Sequence, residues 1–167
     1  MRVAGTAALD ASPAQVLAVL RDPRRFVAAL PNVDELEFEP GEDGSFRAKI
    51  RPAIALGEVP IETLWRPCAC GSDRVKPQGR VDDLGDTGPD GQAVAYAMEG
   101  GTGEHQVELE ATVALRDREG GGTVAEWTVA FEISGTMRSA GQRTIAAIVA
   151  AQAQQVLEAA GEVAAAP

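Results

Sequence analysis

Residues 141–160 read GQRTIAAIVAAQAQQVLEAA. Gly141, Ile145, Ile148, Val149, Val156 and Leu157 recur at three- and four-residue spacings and so share one apolar stripe of a helix. The same period reaches back to about Met137, so the spacing predicts a helix from Met137 to Ala160. At ~23 residues it would be ~35 Å long, enough to cross a sheet diagonally. An apolar stripe of that length needs an apolar partner. Residues 163–167 are expected to fray, which leaves 1–162 as a single folded domain.

The partner lies upstream, where residues from about Asp34 to Ser134 alternate with a period of two. Leu36 and Phe38 alternate with Glu35, Glu37 and Glu39. Beyond a turn at Gly41-Glu42-Asp43-Gly44, Phe46, Ala48 and Ile50 alternate with Arg47, Lys49 and Arg51. Setting Glu39 opposite Arg47 also sets Glu37 opposite Lys49 and Glu35 opposite Arg51, each pair contributing about 0.2–1 kcal/mol. The three cations are therefore read as hairpin partners and not as an anion-binding stripe. The strand is expected to continue through Pro52, Ile54 and Leu56 to a turn at Gly57-Glu58. Val59, Ile61, Thr63 and Trp65 then carry the inner face of the next strand.

Residues 66–91 contain Pro67, Pro77, Pro89 and glycines at 71, 79, 85, 88 and 91. They read as a long connection with one short strand near Arg80 to Leu84, and connections of that length are usually functional or mobile. Alternation returns at Val94, Tyr96 and Met98. After the turn Gly100-Gly101-Thr102-Gly103 comes Val107, Leu109, Ala111, Val113 and Leu115. After Glu119-Gly120-Gly121-Gly122 comes Trp127, Val129, Phe131 and Ile133. These three strands form a meander. A turn over 100–103 would set Glu99 opposite Glu104, Tyr96 opposite Val107 and Met98 opposite His105.

The N-terminal segment Arg2 to Leu9 also alternates. Ser12-Pro13-Ala14-Gln15 supplies an N-cap, a proline at the first helical position and a capping-box Gln. Asp22-Pro23 repeats the signal for a second short helix through Phe26, Val27 and Leu30, which Pro31 ends. The fold class is therefore α+β. A curved antiparallel sheet of about seven strands wraps a long C-terminal helix, with two short helices after the first strand.

Composition narrows the chemistry. Among 167 residues, 15 Lys plus Arg stand against 25 Asp plus Glu, a formal net charge of −10. Phosphate backbones would be repelled, so nucleic acid is not an expected partner. No run is long and apolar enough for a transmembrane helix, and the N-terminus lacks a signal-peptide core; a cytoplasmic location is expected, with no more than peripheral membrane contact. Cys68 and Cys70 are too close in sequence to staple a fold, and with His105 the sole histidine no metal set is expected. Lys49 and Lys76, the two lysines, lack an apolar setting for Schiff-base chemistry. No hydrolase, phosphate-loop or metalloenzyme motif is present, and no cofactor is expected.

Several short motifs resemble a known family. Ser12-Pro13-Ala14-Gln15-Val16 with Leu20-Arg21-Asp22-Pro23 is similar to the first helix and "L-x-D-P" of the CoxG group of carbon monoxide dehydrogenase subunits, within the START/SRPBCC helix-grip superfamily. Leu30-Pro31-Asn32-Val33-Asp34-Glu35-Leu36 resembles that group's "I-P-G-x-x-x-L", with Asn32 in place of glycine. Ser134-Gly135-Thr136-Met137 and Gly141-Gln142-Arg143-Thr144-Ile145 resemble its entry into the last helix. The segment 66–91 matches poorly.

The resemblance implies a cavity between sheet and helix for a lipid, quinone, sterol or polyketide, and an accessory role beside a molybdenum-containing hydroxylase. The sequence suits a cavity: Ala48, Thr63, Ala111 and Ala125 interrupt the larger sheet residues, and Ala140, Gly141, Thr144, Ala147, Ala151 and Ala160 do so on the helix. The expected walls are Phe38, Ile50, Ile61, Trp65, Tyr96, Met98, His105, Val107, Leu109, Ala111, Val113, Trp127, Val129, Ile145, Ile148 and Val149, with His105 and Tyr96 as polar groups that orient the ligand. Non-catalytic binding of a hydrophobic small molecule is the favoured reading. A polyketide cyclase or aromatase using His105 or Tyr96 for proton transfer is the enzymatic alternative.

Overall fold

The structure, a computed structural model, describes residues 1–29, 35–40, 45–50, 61–68, 92–102, 105–135 and 141–166, with the backbone alone at 35–40, 50, 61, 68, 102, 105 and 142. The elements run β1 (Arg2–Leu9), α1 (Pro13–Arg21), α2 (Pro23–Ala29), β2 (Glu35–Pro40), β3 (Phe46–Ile50), β4 (Ile61–Cys68), β5 (Ala93–Thr102), β6 (His105–Asp117), β7 (Thr123–Ser134) and α3 (Gln142–Ala165). All strands join one antiparallel sheet in the order β1-β7-β6-β5-β4-β3-β2. The helices collect on its concave face, where α3 lies against β1, α1 and α2 and touches β7.

The capping signals act as read. Ser12 Oγ accepts from the Gln15 backbone N–H at 3.4 Å, and Gln15 Oε1 accepts from the Ser12 N–H at 3.0 Å. Asp22 Oδ1 accepts from the backbone N–H groups of Arg24 (3.0 Å) and Arg25 (3.4 Å), which starts α2 directly after α1. Val16, Val19, Leu20, Phe26 and Val27 are the buried face of this helical pair.

Three expectations shift. The last helix begins at Gln142 and ends at Ala165, about five residues later than predicted at each end. Gly141 sits at φ +87°, outside the helical range, and marks the start of α3. At the other end Gly161 packs on the Leu9 side chain and Ala164 is buried, which docks the turns expected to fray.

The β2–β3 hairpin keeps Glu39 opposite Arg47 but sets Glu35, not Glu37, opposite Lys49, because an irregularity places extra residues on β2. A bulge of this kind twists a sheet edge, and β2 is an edge strand.

The β5–β6 hairpin turns later than expected, with only Gly103 and Glu104 between Thr102 and His105. The longer ladder pairs three further couples, Gly100 with Val107, Gly101 with Gln106 and Thr102 with His105. Tyr96 therefore lies opposite Ala111, and Met98 opposite Leu109. The shift is even in residues, so the inward and outward faces stay as assigned. The expected features at 51–60, the turn 41–44, the connection 69–91 with Cys70, and the stretch from Met137 to Ala140 lie outside the described residues.

Candidate binding face between the sheet and the last helix

The registers fix which side chains look inward. Trp127 Nε1 donates to Gln154 Oε1 at 3.3 Å, so the odd residues of β7 face α3. Pairing carries that face to Val3, Ala7 and Leu9 of β1, to Val107, Leu109, Ala111, Val113 and Leu115 of β6, and to Val94, Tyr96 and Met98 of β5. It continues to Thr63 and Trp65 of β4 and to Phe46 and Ala48 of β3. Ile50, Ile61 and His105 occupy the same register by backbone, while their side chains, like that of Phe38, lie outside the described residues.

One end of this face is closed by aromatic packing. Phe26 of α2 stacks on Tyr96 (centroids 5.1 Å apart) and meets Trp65 (5.5 Å) and Phe46 (6.0 Å) edge-on. Phe46 and Trp65 stack in turn at 5.9 Å. Edge-on and offset rings of this kind add to the area they bury. Trp65 Nε1 donates to Thr63 Oγ1 (2.9 Å), which donates to the Ala48 carbonyl (2.6 Å), so the buried indole is satisfied internally. Phe46, Phe26, Trp65, Tyr96 and Met98 are all buried. Trp65 and Tyr96, expected as cavity walls, pack against Phe26 of α2, and Met98, the strand partner of Trp65, is buried as well. The sequence did not mark Phe26 as their cover, because a short capped helix does not reveal where it folds back.

Tyr96 departs further from its expected role. Its hydroxyl donates to the Leu20 carbonyl at 2.6 Å, tying β5 to the end of α1. Burial pushes the phenol above its ordinary value of 10.0, with smaller opposed influences from Arg21 (lowering) and Asp22 (raising). A hydroxyl so engaged is a structural tie and not a free proton donor. Tyr96→Phe should cost about 1–3 kcal/mol by leaving the Leu20 carbonyl unpaired. The folded chain holds the Tyr96 proton more tightly than the unfolded one. This contribution is thus intact below pH 10.0 and lost as the pH rises beyond it. Thermal melts across the alkaline range check the sign: the Tyr96→Phe variant should lose less stability there than the parent.

The middle of the face is different. On β7, Ala125, Trp127, Val129, Phe131 and Ile133 are each no more than 7% exposed. On neighbouring β6, Val107, Leu109, Ala111 and Val113 are only half-buried, although they lie in the interior of the sheet and point inward. On α3, Ile145 and Leu157 are buried, and Ile148, Val149, Ala153 and Val156 are half-buried. The small helical residues fall elsewhere than expected. Gly141, Thr144, Ala147 and Ala151 are exposed and only Ala160 is buried, with Ala140 outside the described residues. Burying a methyl gains little compared with burying an isoleucine or leucine, so the helix turns its larger residues inward.

Among the described residues, no group of three or more His, Cys, Asp or Glu side chains is placed to hold a metal ion. No helix among them is long and apolar enough to cross a membrane.

A long amphipathic helix held in the concavity of a seven-stranded antiparallel sheet, with two short helices closing one end, defines a helix-grip protein of the START/SRPBCC class. Solved structures share the architecture. A conserved protein from Geobacillus kaustophilus is 18% identical over 99% of this chain and 95% of that one, with a TM-score of 0.74. A START superfamily protein from Mycobacterium smegmatis is 11% identical over 97% and 96%, with a TM-score of 0.64. The di-domain ARO/CYC BexL of the BE-7585A biosynthetic pathway is 13% identical over 100% of this chain and 50% of that one, with a TM-score of 0.60. At these identities the likeness carries the fold. The family is set by sequence: the CoxG family of carbon monoxide dehydrogenase subunits matches residues 5–164, and the chain belongs to it. No curated protein sequence matches the chain.

Proposed function

We propose that the protein binds a hydrophobic small molecule, without altering it chemically, between the inner face of β6 and the half-buried flank of α3. The carrying observation is the exposure pattern of the sheet. Val107, Leu109, Ala111 and Val113 point inward from an interior strand, yet they are less buried than the row beside them on β7. An apolar row under-covered in this way gains dispersion contacts, and sheds poorly bonded water, when an apolar ligand lies on it. The half-buried Ile148, Val149 and Val156 of α3 supply the facing wall, while the aromatic cluster beneath Phe26 forms the closed end.

Family membership supports a second element, an accessory role beside a dehydrogenase of the carbon monoxide dehydrogenase type. The net charge of −10 suits a protein partner better than an anionic lipid surface. Of the two groups considered for proton transfer, the Tyr96 hydroxyl is committed to Leu20, and the His105 side chain lies outside the described residues.

Native mass spectrometry of the purified protein, followed by organic extraction and uptake of the neutral dye Nile red, tests the binding reading. A lipophilic adduct lost on extraction, or saturable dye uptake by the extracted protein, is the expected result. A protein that carries no adduct and takes up no dye would overturn it.

A further inference from the structure

We infer that Gln152 is the polar contact of this binding face, and that the face selects a neutral apolar molecule bearing a hydroxyl or carbonyl group over a carboxylate or phosphate. The inference rests on the proposed binding between β6 and α3. The two flanks of α3 are told apart by their partners. Gln154 meets Trp127 of β7 and Gly161 meets Leu9 of β1, so that flank faces the β1 edge. At ~100° per residue, Gln152 lies on nearly the opposite flank, with Ile148 and Val156 one turn before and after it. That flank is turned away from β1.

Gln152 is half-buried between those half-buried apolar neighbours, and its amide has no hydrogen-bond partner among the described residues. Every fully buried polar side-chain atom among them is already paired, so none of those groups is left open to a ligand. The charged side chains of α3, Arg143, Glu158 and Glu162, are exposed. On the inward face of the sheet no described side chain is a cation, and the charge that falls in this register, Asp117 at the end of β6, is negative and exposed. An anionic headgroup drawn onto this face would lose its hydration with no cation among the described residues of the face to replace it. A primary amide offers both donor and acceptor, which fits a hydroxyl or a carbonyl.

Displacement of Nile red by dodecanol, dodecane and dodecanoate, at neutral to mildly alkaline pH, compares the parent with Gln152→Leu. Leucine is a good helix former at a half-buried position, so the variant should fold with an unchanged melting temperature. In the variant, dodecanol should weaken about fivefold relative to dodecane, as expected for one lost hydrogen bond. Dodecanoate should bind more weakly than dodecanol to both proteins. An unchanged ratio of dodecanol to dodecane, or dodecanoate binding as tightly as dodecanol, would overturn the inference. Dye uptake by both proteins leaves the binding reading standing in either case, and failure of both to take up dye fells the two together.

Discussion

Ala111→Phe is expected to abolish Nile red uptake while leaving the melting temperature within a few degrees of the parent. Ala111 stands at the centre of the β6 row, between Tyr96 on β5 and Val129 on β7. Both neighbours are buried, at 5% and 6% exposure, whereas the alanine between them is only half-buried. A phenyl ring at this position would occupy the volume assigned to the ligand, and it would bury its own surface against Leu109 and Val113. Were the interior closed over Ala111, the same ring would overpack it at a cost of about 1–3 kcal/mol. Dye titration and thermal denaturation of one variant therefore separate the two arrangements. Loss of binding with stability kept supports the open face, and a large fall in melting temperature counts against it.

Phe26→Ala should have the opposite signature, a heavy loss of stability. Phe26 is 7% exposed and touches Tyr96, Trp65 and Phe46. Truncating a buried phenylalanine costs about 3–5 kcal/mol, partly through the cavity left behind. For a chain of this size the melting temperature should fall by roughly 6–20 °C. Tryptophan emission gives a second readout, because the Trp65 indole would lose a ring that screens it from water. A loss below ~1 kcal/mol would mean that α2 is not the cover over β4 and β5.

The elements with local signatures were legible from sequence. Ser12 and Gln15 cap α1, Asp22 starts α2, and the alternation of β7 maps directly onto its burial. The period of the last helix was readable, but its start was not, since that is marked by the positive-φ backbone of Gly141. Hairpin registers were partly hidden for a similar reason. Gly100, Gly101 and Gly103 permit several turn positions, and the choice is made by how many ladder pairs the longer strands can form. The inward face survived the shift of the β5–β6 turn, because an even slip preserves side-chain direction. The site was less legible. Phe26 and Gln152 escaped notice because their roles depend on how separate elements meet, which no local spacing encodes. The alanines of α3 misled in the other direction, because a small residue is equally at home facing water.

The pairing of β1 with β7 also governs how the chain comes together in time. Arg2 meets Ala130 and Leu9 meets Thr123, so the first strand made is completed by the last. Contacts so distant along the chain are slow to form, because a long loop must close before they contribute. At translation speeds of about 5–20 residues per second, β1 would wait roughly 6–25 s for its partner to be synthesised. During that interval Val16, Val19, Leu20, Phe26 and Val27 have neither the completed sheet nor α3 to cover them. The nascent chain therefore passes through a stage with its helical pair bare, in which aggregation and chaperone capture compete with folding.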